Sequence, residues 1–60
     1  MRPLAIGDRV TITGRSHPHR GRSGVIAEPL RKQGLDWIIE LDGAYEGRAA
    51  AAESELRREP

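Results

Sequence analysis

Polar and apolar residues alternate over residues 8–13, with Val10 and Ile12 on one side and Arg9, Thr11 and Thr13 on the other. Successive side chains of an extended chain point to opposite faces, so this alternation predicts a β-strand with one buried face. Residues 24–28 repeat the pattern over a shorter stretch. There Val25 and Ala27 share one side and Ile26 takes the other, and Val25 is assigned to the interior. The strongest alternation covers residues 35–42. Leu35, Trp37, Ile39 and Leu41 share one face, and Asp36, Glu40 and Asp42 share the other, with Ile38 as the exception. The expected interior is therefore Val10, Ile12, Val25, Trp37, Ile39 and Leu41.

Glycine and proline punctuate these segments. Pro3 argues against a central strand in the lead-in at residues 1–6, and Gly7-Asp8 marks a turn. Residues 14–23 form a loop with glycines, Pro18, two histidines and three arginines but nothing apolar to bury. Pro29 ends or weakens the second strand, and Arg31-Lys32-Gln33-Gly34 reads as a polar turn. Asp42-Gly43 signals a further turn, and Gly47 closes the loop around Tyr45. The tail has two readings. Helix propensity favours a helix over residues 49–59, with Glu53 and Arg57 spaced for an ion pair. That helix would have only Leu56 and alanines as its apolar face. The other reading makes 48–52 a strand, 53–55 one tight turn and 56–58 a short closing strand.

Size and composition narrow the function classes. Sixty residues make one domain, and a chain this short buries only about 60% of the surface its unfolded form exposes. The expected core is thin. There is no cysteine, which removes disulfides and thiolate metal sites. No apolar run is long enough to span a bilayer and no signal-peptide apolar region opens the chain, so the expectation is a cytoplasmic protein. Nothing resembles a nucleophile elbow, and a barrel of this size has little depth for a water-excluding pocket. No enzyme and no cofactor are expected.

Net charge is only +1, yet it is unevenly placed. Residues 1–32 hold seven basic groups against two acidic ones, a net of +5, whereas residues 33–60 hold three against seven, a net of −4. Either the two halves present opposite faces to partners, or folding brings them together and they neutralise one another. Nine of the ten basic residues are arginine. Its planar fork suits phosphate or carboxylate, although the codon usage of a GC-rich genome gives the same bias.

Gly7-Asp8-Arg9-Val10-Thr11-Ile12, a loop containing Gly14, and Gly21-Arg22-Ser23-Gly24-Val25-Ile26 together resemble the KOW motif. That motif is found in SH3-like barrels of ribosomal proteins and of transcription elongation factors related to the NusG family. The resemblance covers residues 7–28. Trp37-Ile38-Ile39-Glu40-Leu41-Asp42 and Glu53-Ser54-Glu55-Leu56 are similar to the remaining strands and the one-turn helix of such barrels. The resemblance implies an all-β fold: a single domain over 1–60, a five-stranded SH3-like barrel with one short helical turn before the last strand. It thereby decides the tail in favour of strand, turn and strand. It also implies that Gly21 permits the loop's turn and that Gly24 begins the second strand against its neighbour. The chain departs from the pattern in two ways. Its loop His17-Pro18-His19-Arg20 is not the lysine-rich version, and the barrel stands alone rather than among other domains. Small SH3-like subunits of photosystem I and of ferredoxin–thioredoxin reductase, which share the alternation, act as protein docking modules.

The loop 14–23 is the main candidate site. Arg15, Arg20 and Arg22 suit phosphate contacts, and His17 and His19 suit hydrogen bonding or stacking on unpaired bases. The plain alternative is a solvated loop. Only Trp37 and Tyr45 provide large aromatic rings, which disfavours single-strand stacking platforms. His17 and His19 without a third ligand make a poor metal site, so no metal is expected. Tyr45 is a candidate protein contact. RNA, DNA or a ribonucleoprotein is the leading partner class, a protein partner is the alternative, and self-association is the third option.

Overall fold

A computed structural model describes residues 3–43 and 47–60 of the chain. It contains five strands: β1 (Arg9–Ile12), β2 (Ser23–Lys32), β3 (Leu35–Leu41), β4 (Arg48–Ala51) and β5 (Leu56–Arg58). A single 3-10 turn, Glu53–Glu55, precedes β5. The strands form one antiparallel sheet in the order β4-β3-β2-β1-β5. The tail is therefore strand, turn and strand rather than helix. No helix among the described residues is long and apolar enough to cross a membrane.

Cross-strand partners share a face, so the register shows which side chains point inward. Val10 pairs with Gly24, and Gly24 pairs with Leu41. Ile26 pairs with Ile39, and Ile39 with Ala49. These rows form the inner face. The buried set is Val10, Ile12, Ile26, Ile39, Leu41, Ala49 and Ala51, and Leu4, Trp37 and Leu56 pack against it. Five of the six expected interior residues lie on this face, but Val25 does not. Val25 pairs with Arg9 and Glu40 and is half-buried on the outer side; Ile26 occupies the core instead. The reason lies in the ladder: Val10 meets Gly24, which fixes the even-numbered residues at this end of β2 as the inward ones.

Gly24 is required here by space. A Cβ at this position would collide with the carbonyl oxygen of Glu40 and lie 2.8 Å from Ile39 Cγ2. Absence of a side chain thus lets β3 close over β2 between Val10 and Leu41.

Pro29 does not end β2. The strand continues to Lys32, with register shifts between Ile26 and Glu28 and between Pro29 and Lys32. Such bulges accommodate a residue that lacks an N–H, and they add bend and twist. Trp37 sits opposite Ala51 at the rim of the core. It is half-buried, and its indole N–H donates to Glu53 Oε1 at 3.3 Å.

Candidate nucleic-acid interface

The loop between β1 and β2 is built by its own backbone. Ile12 N–H donates to the Arg22 carbonyl at 2.9 Å, and Gly21 N–H donates to the Ile12 carbonyl at 2.8 Å, closing the neck. Above the neck the chain folds through consecutive turns. His17 N–H donates to Gly14, Arg20 N–H to His17 and Arg22 N–H to His19, at 3.0–3.1 Å. Gly21 adopts φ +89°, a left-handed conformation that favours glycine, in agreement with its expected role at the turn. These bonds satisfy backbone groups that a flexible loop would leave to water.

The loop is also tied down from outside. Thr13 donates both its N–H, at 2.7 Å, and its hydroxyl, at 3.3 Å, to the Glu55 carbonyl. Gly14 lies directly against the Glu55 side chain. The His17 ring spans from the loop to β4: Nε2 lies 2.8 Å from the Ala50 carbonyl, and Nδ1 lies 3.0 Å from the His19 N–H. A carbonyl accepts and an amide donates, so Nε2 carries the hydrogen and Nδ1 offers its lone pair. Both nitrogens are engaged within the chain, which leaves His17 no lone pair for a metal. His19 stands beside it, with ring centroids 5.8 Å apart at 49°.

His17 thus covers a carbonyl on β4, which ends one side of the sheet. Between loop and strand lies an open cleft of about 410 Å³, lined by Ser16, His17, Pro18, Leu35, Ala50 and Glu55 among others.

Electrostatics separate the cations into two groups. Arg9 pairs with Asp42 and, at 3.6 Å, with Glu59. Arg48 pairs with Glu28 at 2.7 Å and Glu40 at 3.5 Å, and Arg58 pairs with Asp8 at 3.0 Å. Four of these contacts, Arg9 to Asp42, Arg9 to Glu59, Arg48 to Glu28 and Arg58 to Asp8, join the basic half of the sequence to its acidic half. Arg9 thus gives up part of the basic half's surplus to the acidic half, whereas Arg48 and Arg58 instead take up Glu28 and Asp8, carboxylates of the basic half itself. Exposed ion pairs contribute only about 0–1 kcal/mol each, so their main effect is on the charge pattern. Arg15, Arg20, Arg31, Lys32 and Arg57 are exposed and have no ion pair or hydrogen bond of their side chains among the described residues.

Below the loop, Thr11 Oγ1 donates to Glu59 Oε2 at 2.6 Å and lies 3.2 Å from Ser23 Oγ. The hydroxyls of Ser23 and Thr11, followed by the charge of Arg9, hold the Glu59 carboxyl below its ordinary value.

Of the expected site residues, the fold gathers Arg15, His17, His19, Arg20 and Arg22 on one ordered loop. The three arginines are exposed and the two histidines half-buried. His17 serves as a strut, which its sequence context does not reveal. Arg31 and Lys32 stand out here as exposed cations, although in sequence they read only as part of a polar turn. Their adjacency was the available signal. Tyr45, the expected protein contact, lies outside the described residues. No family model, curated protein or solved structure matches this chain.

Proposed function

We propose that the chain is a small non-catalytic binding module of the KOW, SH3-like barrel type, which contacts nucleic acid or a ribonucleoprotein through loop 14–23. The observation that carries this reading is the segregation of charge. Arg9, Arg48 and Arg58 are taken up by carboxylates, whereas Arg15 and Arg20 project from an ordered loop with no acidic partner among the described residues. Unneutralised arginines on a fixed support suit phosphate oxygens. The reading assigns no reaction and no cofactor.

Closure of the sheet into a barrel belongs to the same proposal. The bend introduced by the shifts in β2, the 3-10 turn between β4 and β5, and the bonds from Thr13 and His17 to Glu55 and Ala50 all support a wall completed by the loop.

Replacing Arg15, Arg20 and Arg22 together by alanine tests the binding role. Binding to mixed RNA and DNA is expected to weaken steeply with salt, with a log–log slope of about −0.9 per phosphate neutralised on duplex DNA. The triple variant should bind more weakly and show a shallower slope. Unchanged affinity and slope would refute the assignment. A stoichiometric protein partner without salt-sensitive nucleic-acid binding would make the module a protein adaptor instead.

A further inference from the structure

We infer that the β1–β2 loop carries a proton-operated latch: the His17 ring fastens the turn over residues 17–19 only while it is neutral. This goes beyond the binding role proposed for loop 14–23 and does not depend on it.

The latch begins in the sequence His17-Pro18-His19. Pro18 has no N–H, so the first backbone donor after His17 is the His19 N–H. That N–H reaches back to His17 Nδ1 at 3.0 Å. A bond from the amide two residues on to a side-chain acceptor is the one with which an Asn or Asp oxygen closes a turn. The amide oxygen of Asn keeps its lone pairs at every ordinary pH. An imidazole nitrogen does not, because histidine is the side chain that changes charge between about pH 5 and pH 8.

The other ring nitrogen decides where a further proton must go. Nε2 lies 2.8 Å from the Ala50 carbonyl, which can only accept, so Nε2 already carries the hydrogen of the neutral ring. A second proton can bind only at Nδ1. There it would meet the His19 N–H donor to donor, and that bond is lost. The bond to Ala50 survives, because Nε2–H still donates and is now charge-assisted. Protonation therefore parts the two ends of the strut. The ring stays on β4 while the turn beside it opens.

The surroundings keep the event local. The cleft that reaches the ring brings Arg48 from β4, Glu55 from the 3-10 turn, His19 from the loop and the uncharged Leu35 from β3. Glu55 favours the imidazolium, whereas Arg48 and a protonated His19 oppose it. Both charged neighbours are engaged elsewhere. Arg48 holds Glu28 and Glu40, and Glu55 Oε1 accepts the Ala52 N–H. The neck of the loop uses backbone groups alone, Gly21 N–H to Ile12 and Ile12 N–H to Arg22. No titratable group takes part in those two bonds, so the neck stays closed when the turn opens.

Nitrogen NMR of the isotope-labelled chain, from about pH 8 to about pH 5, tests the latch. It follows the His17 ring and the solvent exchange of the His19 amide, corrected for the intrinsic effect of pH on exchange. As the ring takes up its proton, protection of that amide should fall by about 2–12-fold, the factor carried by one ordinary hydrogen bond. Protection at Ala49, which pairs with Ile39 inside the sheet, should hold. H19Q keeps the backbone donor and should keep the response. H17N puts a side-chain oxygen in the place of Nδ1 and cannot titrate, so its His19 amide should be indifferent to pH in this range. Unchanged His19 protection beside a protonated His17 would overturn the latch, as would a His17 ring still neutral at about pH 5. A full response in H17N, or its loss in H19Q, would also overturn it. Parallel loss of protection at Ala49 would mark unfolding of the sheet and exclude a local release. None of these outcomes touches salt-sensitive binding by the loop arginines, whose failure would in turn leave the latch standing.

Discussion

Replacing His17 by alanine gives the sharpest test of how the loop is held. The change removes the donor to the Ala50 carbonyl at 2.8 Å and the acceptor for the His19 N–H at 3.0 Å. Each such bond contributes about 0.5–1.5 kcal/mol net, so their joint loss is worth about 1–3 kcal/mol. The ring is half-buried, and water can reach part of what it leaves behind, which favours the lower half of that range. For a domain of this length, about 4–8 °C of melting temperature accompanies each kcal/mol, so H17A should melt about 5–15 °C lower. Urea unfolding followed by circular dichroism measures the loss, with an unchanged slope m showing that the folded and unfolded states remain comparable. R20A is the control: Arg20 lies on the same loop but has no side-chain partner among the described residues, so its effect should remain within about 0.5 kcal/mol. Amide exchange at His19 should also accelerate in H17A. If H17A is as stable as R20A, or if nitrogen NMR of the unmodified chain places the hydrogen on His17 Nδ1, the strut does not exist.

Two further outcomes follow from the sheet. G24A inserts a Cβ against the Glu40 carbonyl and Ile39 Cγ2, so β3 must shift; overpacking of this kind costs about 1–3 kcal/mol. A change in urea midpoint equivalent to less than about 0.5 kcal/mol would refute the close approach. Glu59 has a folded-state value below its unfolded one, because the hydroxyls of Ser23 and Thr11, with Arg9, favour the carboxylate. Its contribution is therefore present at neutral pH and is lost as pH falls through the carboxylate range towards the folded value. E59Q should flatten the acid limb of a stability-against-pH curve, and a limb parallel to that of the unmodified chain would contradict the assigned direction.

The legible parts of the fold were those with a clean alternation. β1 and β3 could be phased because Val10 and Ile12, and Ile39 and Leu41, are separated by polar residues. β2 could not, because Val25 and Ile26 are adjacent and equally apolar. Only the pairing of Val10 with Gly24 selects Ile26 for the core. A glycine carries no hydropathy signal, yet here it fixes the phase of the strand. Pro29 weakens the pairing without ending the strand: missing one N–H forbids one ladder bond but not a strand that shifts register around it. Ala49 and Ala51 were missing from the expected interior, but they are core residues of a strand packed close to β3.

The candidate loop was legible in position but not in electrostatic state. Glycine and proline marked the loop, and its arginines were visible. Arg9 and Arg48 look no different in sequence from Arg15 and Arg20, yet the first two are neutralised and the last two have no acidic partner among the described residues. Carboxylates from the second half of the chain reach Arg9, which lies on a strand, and Arg58 of the acidic half closes on Asp8. These pairs occupy the framework, so the positive charge that remains sits mainly on the β1–β2 connection and at the end of β2. The same framework holds the first of these still through Thr13 and His17. A cationic loop that is already ordered has less conformational entropy to lose when it meets phosphate. If the proposed binding role holds, the residues that fix the loop, His17 and Glu55 above all, set how strongly its arginines would bind phosphate.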